Sequence, residues 1–273
     1  MYKKYFGLRE SPFNVTPDPR FIFFSRKHLD AFSCLHYGIE SRRGFIQITG
    51  EIGTGKTTLC RAILERFKSN THTALVLNPM LSDVLLLQTI VEDFGIQIAG
   101  HTKKDCFDGL NRFLLDEFHK GFNCVLIIDE AQNLTPETLE QIRLISNLET
   151  NSEKLIQIVL VGQPELRQLL DAPSLAQLRQ RIAIRYHLTA LDLNEVEEYI
   201  SHRLTVAGFG KRTQNLFSYG AIEFIYRHSK GVPRLINTLC DVSLLGAYAR
   251  STRLVTLELV EEAYQEIEGV SVL

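Results

Sequence analysis

The chain has 273 residues, with 30 Lys and Arg against 32 Asp and Glu and a formal net charge of −2. Hydrophobic residues make up 45% and charged residues 23%, enough apolar surface for a sizeable core, which excludes a disordered, collagenous or low-complexity chain. The near balance of charge also excludes a strongly basic nucleic-acid coat protein, although a local basic patch stays open.

The N-terminus is mixed and polar, without the apolar stretch of a signal peptide, and runs such as Val84–Leu87 and Cys124–Ile128 fall far short of a membrane span. The cysteines (Cys34, Cys60, Cys106, Cys124, Cys240) are scattered, odd in number and without a CxxC pair. They read as reduced core or helix residues, and the chain reads as cytoplasmic.

In chain order, helical periodicity over Lys27–Ser41 leads into an apolar strand at Phe45–Thr49. The alternation continues with a helix at Lys56–Lys68, a strand at Thr73–Asn78, and helices at Asp83–Phe94 and Cys106–Lys120. A strand at Cys124–Asp129, a helix at Pro136–Leu148, and strands at Ile156–Val161 and Ala183–Leu188 complete it. Several strands are nearly continuous β-branched or leucine runs, as expected when both faces of a parallel sheet are covered. Thr135 as N-cap and Pro136 at the first helical position punctuate one helix, whose Leu139, Ile142, Ile145 and Leu148 share a side. Strand and helix in alternation predict a three-layer α/β domain over residues 1–190. Beyond Leu191 the strands disappear. Asn194 with Glu197 resembles a capping box, Val196, Tyr199, Ile200 and Leu204 make one face, and Gly208 stops the helix. Helices near Ser218–Ser229, Pro233–Ala249 and Thr256–Ile267 then complete an all-helical domain over 191–273.

The strongest chemical signal is Gly50-Glu51-Ile52-Gly53-Thr54-Gly55-Lys56-Thr57-Thr58, which fits GxxxxGK[ST] directly after a strand. Glycines let backbone N–H groups turn inward around phosphates, and the following helix aims its N-terminus at them. Lys56 can reach the β- and γ-phosphates, and the Thr57 hydroxyl can ligate Mg²⁺. The strand ending in Asp129-Glu130 places two carboxylates at the carboxyl edge of the sheet. Asp129 would hold Mg²⁺ through its water shell, and Glu130 would act as general base on the attacking water. Asn78 either hydrogen-bonds Glu130 and holds it off line or caps its strand before Pro79. Gln163, after the fourth strand, either contacts the γ-phosphate or attacking water or starts a helix. Arg179 and Arg181 stand before the last strand, either as a solvated helix end or as charges offered to a neighbouring subunit's phosphates. Arg234 opens a helix, where a cation is mildly unfavourable against the dipole, and that cost favours a phosphate contact.

Together these residues resemble the AAA+ ATPases, and within them the ExeA/GspA type of general-secretion-pathway ATPase. The resemblance runs from YFGLRESPFNVTPDPRFIFFS (residues 5–25) through RRGFIQITGEIGTGKTTLCR, LIIDEAQNL, IRLISNLET, VLVGQPELR and LRQRI to SKGVPRLIN. It implies a P-loop AAA+ core with a helical lid, Lys56 and Thr57 as Walker A residues, and Asp129 and Glu130 as the Walker B pair. It also implies Arg181 as an arginine finger, Arg234 as the lid sensor arginine, and Leu8, Phe13 and Tyr199 as an adenine pocket. The cofactors implied are ATP or ADP and Mg²⁺, and the partners are further copies in a ring, such as a hexamer, and envelope secretion or pilus components. Full-length secretion-type members continue into a transmembrane helix and a periplasmic domain. A chain ending at Leu273 is then either a piece of such a protein or a short relative associated with pilus or exopolysaccharide export.

The alternative is an ATP-gated DNA-binding regulator of the transposition type, for which Arg42-Arg43 and Lys211-Arg212 would be the basic clusters. A catalytically slow scaffold that binds ATP only to oligomerise is a third reading. A DExx helicase does not fit one phosphate loop without a second α/β domain.

Overall fold

The computed structural model describes residues 2–67, 69–98, 100, 102–150, 153–210 and 215–269, so the Lys211-Arg212 pair lies outside the described residues. The chain divides into two compact units, one of Lys27–Glu51 and Leu59–Leu188, the other of Met1–Arg26, Ile52–Thr58 and Thr189–Leu273. Helix α1 (Tyr2–Phe6) opens the chain and belongs to the second, helical unit.

The α/β unit follows in the order α2 (Arg26–Glu40), β1 (Phe45–Gly50), α3 (Lys56–Phe67), β2 (Thr71–Val76), α4 (Asp83–Asp93) and α5 (Lys103–His119). It continues with β3 (Asn123–Ile128), α6 (Pro136–Ile145), β4 (Gln157–Gly162), α7 (Pro164–Leu170), α8 (Ala176–Arg181) and β5 (Ile182–Leu188). The strands form one parallel sheet in the order β2-β3-β4-β1-β5. Every residue of β1 and β4 is buried, whereas the edge strand β5 alternates buried ends with an exposed middle. Successive side chains point to opposite faces of a strand. Leu126, Ile128, Ile158 and Leu160 therefore join the cluster built with α4 to α8, while Val125, Ile127, Val159 and Val161 are buried on the other face. Burial on both faces is what the continuous apolar runs require, and the fold is the expected three-layer α/β type.

Register places the functional edge. Thr49 of β1 pairs with Gly162 of β4, and Ile128 of β3 pairs with Leu160 of the same strand. Gly50, Asp129 and Gln163 thus leave the sheet from the same carboxyl edge, where open α/β sheets bind ligands.

Several element ends differ from expectation. β2 runs over Thr71–Val76 and not to Asn78, because its pairing with β3 ends at Val76 opposite Ile128 and Leu77 and Asn78 are exposed before Pro79. α5 starts at Lys103, three residues earlier than Cys106, because Thr102 and Asp105 form a capping box. The short helices α1, α7 and α8 carry too few residues to show a period; the sequence leaves open only a helix start at Gln163, for α7, and a helix end at Arg181, for α8, and does not predict α1. All five cysteines are free, and burial pushes the Cys124 thiol up to about 12.

The helical unit consists of α1, the segment leading to Arg26, and α9 (Leu193–Val206), α10 (Tyr219–Ser229), α11 (Pro233–Ala249) and α12 (Leu257–Glu268). The capping box of α9 is formed by Asp192 and Glu195, two residues before the expected Asn194 and Glu197. The Asp192 side chain accepts from the Glu195 N–H at 2.9 Å, and Glu195 Oε2 accepts from the Asp192 N–H at 3.1 Å. The larger correction concerns the N-terminal residues, which the sequence groups with the α/β domain. Phe6, Leu8, Phe13 and Phe21 instead pack with Leu191, Val196, Tyr199, Ile236 and Leu244 in the helical core.

Arg203 of α9 explains how that segment is held. It is only 7% exposed. Its Nε donates to the Pro12 carbonyl at 2.6 Å, its Nη2 to the Asn14 carbonyl at 3.0 Å and its Nη1 to the Tyr199 hydroxyl at 3.1 Å. The guanidinium also lies 4.7 Å from the centre of the Phe21 ring. Loss of one charged partner leaves buried acceptors without donors. Arg203→Met is therefore expected to destabilise the protein by about 3 kcal/mol, read as a lower denaturation midpoint at unchanged m-value. An unshifted midpoint would show that water satisfies those carbonyls equally well.

Candidate functional site

The phosphate loop follows β1 and ends in the first turn of α3. Gly53 and Gly55 have φ of +82° and +96°, left-handed conformations in which successive N–H groups turn to one side. Lys56, first residue of α3, is 7% exposed, Thr54 is fully buried, and Thr57 and Thr58 are half-buried. Glu51 and Ile52 are exposed at the start of the loop. Within the helical unit the loop meets the start of α11. The Arg234 N–H donates to the Gly53 carbonyl at 3.3 Å, and a Cβ at Gly53 would fall 2.6 Å from the Arg234 Cβ. Gly53 is thus required both by its φ and by the approach of α11. The structure brings Arg234 to the phosphate loop, where its exposed side chain adds a cation.

In the α/β unit, Asp129 follows β3 directly, is 4% exposed, and its N–H donates to the Val76 carbonyl at 2.8 Å. Glu130 then adopts φ +51° and ψ 35°, a left-handed conformation that non-glycine residues visit rarely. The Glu130 N–H donates to Asp129 Oδ1 at 2.9 Å. Glu130 Oε2 accepts from Gln132 Nε2 at 2.6 Å and from Gln163 Nε2 at 3.1 Å. The arrangement can present one carboxylate, in one rotamer, at the sheet's carboxyl edge.

The other sequence-predicted residues fall as follows. Asn78 is exposed, and its Oδ1 accepts from the Met80 N–H at 3.3 Å, the turn-capping role before and after Pro79. Gln163 is the amide that the structure brings to Glu130. Arg181 ends α8, and its Nη1 donates to Ser146 Oγ at 3.2 Å and to Asn147 Oδ1, both just beyond α6. Arg179 pairs with Asp171 at 3.6 Å. Leu8, Phe13 and Tyr199 share one buried cluster, in which Phe13 meets Phe217 edge-on at 6.2 Å and the Tyr199 hydroxyl donates to Asn237 Oδ1 at 2.8 Å. Their packing partners are thus core residues of the helical unit.

Two residues escaped the sequence reading. Gln132 left a faint signal, an amide one short turn after the Asp-Glu pair. Arg203 left a clearer one, a cation four residues after Tyr199 on the apolar face of α9.

Among the described residues no group of three or more His, Cys, Asp or Glu side chains could hold a metal ion. In the α/β unit the buried carboxylate of Asp129 is a donor of the class a small hard cation takes, and in the other unit the half-buried Thr57 hydroxyl is an oxygen donor of the same class.

The AAA domain family matches residues 39–170, from the end of α2 to the end of α7. The chain carries an AAA domain. Beyond that domain, the chain is 41% identical to the general secretion pathway protein A of Aeromonas hydrophila over 271 residues, 99% of this chain and 49% of that protein. The chain therefore spans about half the length of this curated relative. Among solved structures, the ORC2 protein of Aeropyrum pernix in ADPNP–ADP complexes superposes with a TM-score of 0.69 at 20% identity, covering 94% of this chain and 71% of that one. The RuvB branch-migration motor of Thermotoga maritima gives a TM-score of 0.58 at 19% identity, covering 89% and 69%. At these identities the likeness is one of fold. It agrees with the AAA domain found over residues 39–170.

Proposed function

We propose that the chain is an ATP-hydrolysing AAA+ motor or switch that drives assembly or remodelling of a bacterial envelope secretion, pilus or polysaccharide-export machine. The observation that carries this reading is the 41% identity to a general secretion pathway protein, in an alignment that runs through the phosphate loop, the acidic pair, Gln163, Arg181 and Arg234. In this reading the backbone of Gly50–Gly55 cradles the phosphates, Lys56 and Arg234 neutralise them, and Thr57 and Asp129 are the residues that would hold Mg²⁺, which would supply further charge neutralisation on the phosphates when bound. Glu130 takes the proton of the attacking water, and Arg181 serves the site of a neighbouring copy in a ring. Hydrolysis changes the contacts made to the γ-phosphate, which is how such switches convert chemistry into movement. No helix among the described residues is long and apolar enough to cross a membrane. The proposed place of work is the cytoplasmic side of the machine, where ATP is supplied.

The test is phosphate release from ATP by the purified chain. Release is expected to require Mg²⁺, to stop on chelation with EDTA, and to rise in specific activity with protein concentration as neighbouring copies complete one another's sites. Hydrolysis that stays proportional to protein concentration would remove the neighbour from the mechanism. ATP-dependent, salt-sensitive binding to duplex DNA would replace secretion with the DNA-regulator reading.

A further inference from the structure

We infer that Gln132 is a positioning residue that fixes the Glu130 carboxylate for water activation and ties it to the loop after β4. This rests on the proposed ATPase reading and adds a residue to it.

Three observations converge on the Gln132 amide. Its Nε2 donates to Glu130 Oε2 at 2.6 Å, while its Oε1 accepts from the Gln163 backbone N–H at 3.0 Å. The same Gln163 donates through its own Nε2 to Glu130 Oε2 at 3.1 Å. Glu130, Gln132 and Gln163 therefore close a ring of hydrogen bonds in which both amides point their donors at one carboxylate oxygen. Second, Gly162 leaves room for this ring. A Cβ there would fall 2.7 Å from Gln132 Oε1, so a side chain at the end of β4 would displace the amide. Third, the Glu130 backbone is already held in a left-handed conformation by its N–H bond to Asp129 Oδ1. With main chain and Oε2 both fixed, the carboxylate loses the rotamer freedom that would otherwise have to be frozen during the reaction.

The bridge has a mechanical consequence. Gln163 starts α7 at the sheet's carboxyl edge. Any shift of that loop is carried to Glu130 through two bonds, one direct and one by way of Gln132. A loop that senses the γ-phosphate would thereby set the position of the base. Because Gln132 acts through Glu130, its loss should lower turnover and spare nucleotide binding.

The experiment uses the full chain with Gln132→Met, which keeps shape and removes both polar groups, and Gln132→Glu, which keeps shape but opposes Glu130 with a second carboxylate. Each is assayed at pH 8 for kcat and KM, with affinity for a non-hydrolysable ATP analogue and thermal midpoint measured in parallel. Removing a donor to a charged group at a reacting centre is expected to lower kcat by about tenfold for Gln132→Met and at least as far for Gln132→Glu. KM, analogue affinity and thermal midpoint should stay near wild type. A Gln132→Met enzyme with kcat within about twofold of wild type overturns the inference. So does a parallel fall in kcat, analogue affinity and thermal midpoint, which marks Gln132 as structural support alone. Glu130→Gln is run alongside. If it turns over like wild type, the ATPase reading of Glu130 fails, a result separable from failure of the clamp because Gln132 is then irrelevant to any base.

Discussion

Glu130→Gln should hydrolyse ATP about a thousandfold more slowly than wild type while binding the nucleotide as tightly. The substitution is nearly isosteric and leaves an oxygen to accept from Gln132 and Gln163, so the surrounding ring of amides can persist. What it removes is the basic oxygen. Positioned general bases contribute about 10² to 10⁴ in rate, and the adjacent carboxylate, Asp129, is 4% exposed and engages the Glu130 N–H. In the proposed reading binding rests on other groups, chiefly the backbone of Gly50–Gly55 with Lys56, and Lys56→Ala would lose nucleotide itself. The pair of variants separates the two roles in one set of measurements, nucleotide affinity by equilibrium titration and turnover by phosphate release. Wild-type turnover in Glu130→Gln would remove Glu130 as the base.

Arg181→Ala carries the second large effect. Its guanidinium is anchored on Ser146 and Asn147 at the end of α6, so the side chain is braced by its own subunit at the end of α8. A braced, partly exposed arginine is what a neighbour's phosphates require, because little side-chain entropy remains to be lost when charge develops on the γ-phosphoryl group. Arginine fingers supplied in this way are worth about 10³ to 10⁵ in turnover, so Arg181→Ala should be nearly inactive with nucleotide affinity retained. Mixing it with equally inactive Glu130→Gln should restore activity. In a random equal mixture about a quarter of the interfaces join an intact base to an intact finger. No recovery on mixing would confine Arg181 to its own subunit, as a brace between α8 and the end of α6.

The parts of this protein that are legible in sequence share a physical trait: their meaning is local. The apolar runs of β1, β3 and β4 announce strands buried on both faces because no polar residue type tolerates that environment unpaired. The phosphate loop is legible because left-handed backbone at Gly53 and Gly55 demands glycine and because a strand precedes it and a helix follows. Thr135 and Pro136 mark the start of α6 by rules that operate within one turn. Errors appear where the deciding partner is close in space and remote in sequence. The end of β2 is set by the length of β3 beside it, and Asn78 therefore lies beyond the strand, occupied with Met80.

Two choices belonged to the tertiary structure alone. The first is the allegiance of the N-terminal segment. Phe6, Leu8, Phe13 and Phe21 follow no period that names a partner, and it is their packing in the helical core, with the buried guanidinium of Arg203 donating to the carbonyls of Pro12 and Asn14 about 190 residues away, that assigns them to the helical unit. The second is which side chains hold the Glu130 carboxylate. Sequence places Asp129 and Glu130 at a sheet edge, because an apolar strand must end in something that faces water. It cannot say that β4 lies beside β3, and that adjacency is what brings Gln163 and Gln132 onto Glu130 Oε2. Length, composition and charge thus bound the chain to a folded protein with an ample core, and the motifs add its phosphate chemistry. The order of strands decides how that chemistry is aimed, because hydrogen bonds between side chains depend on ångström distances across the sheet that no local pattern records.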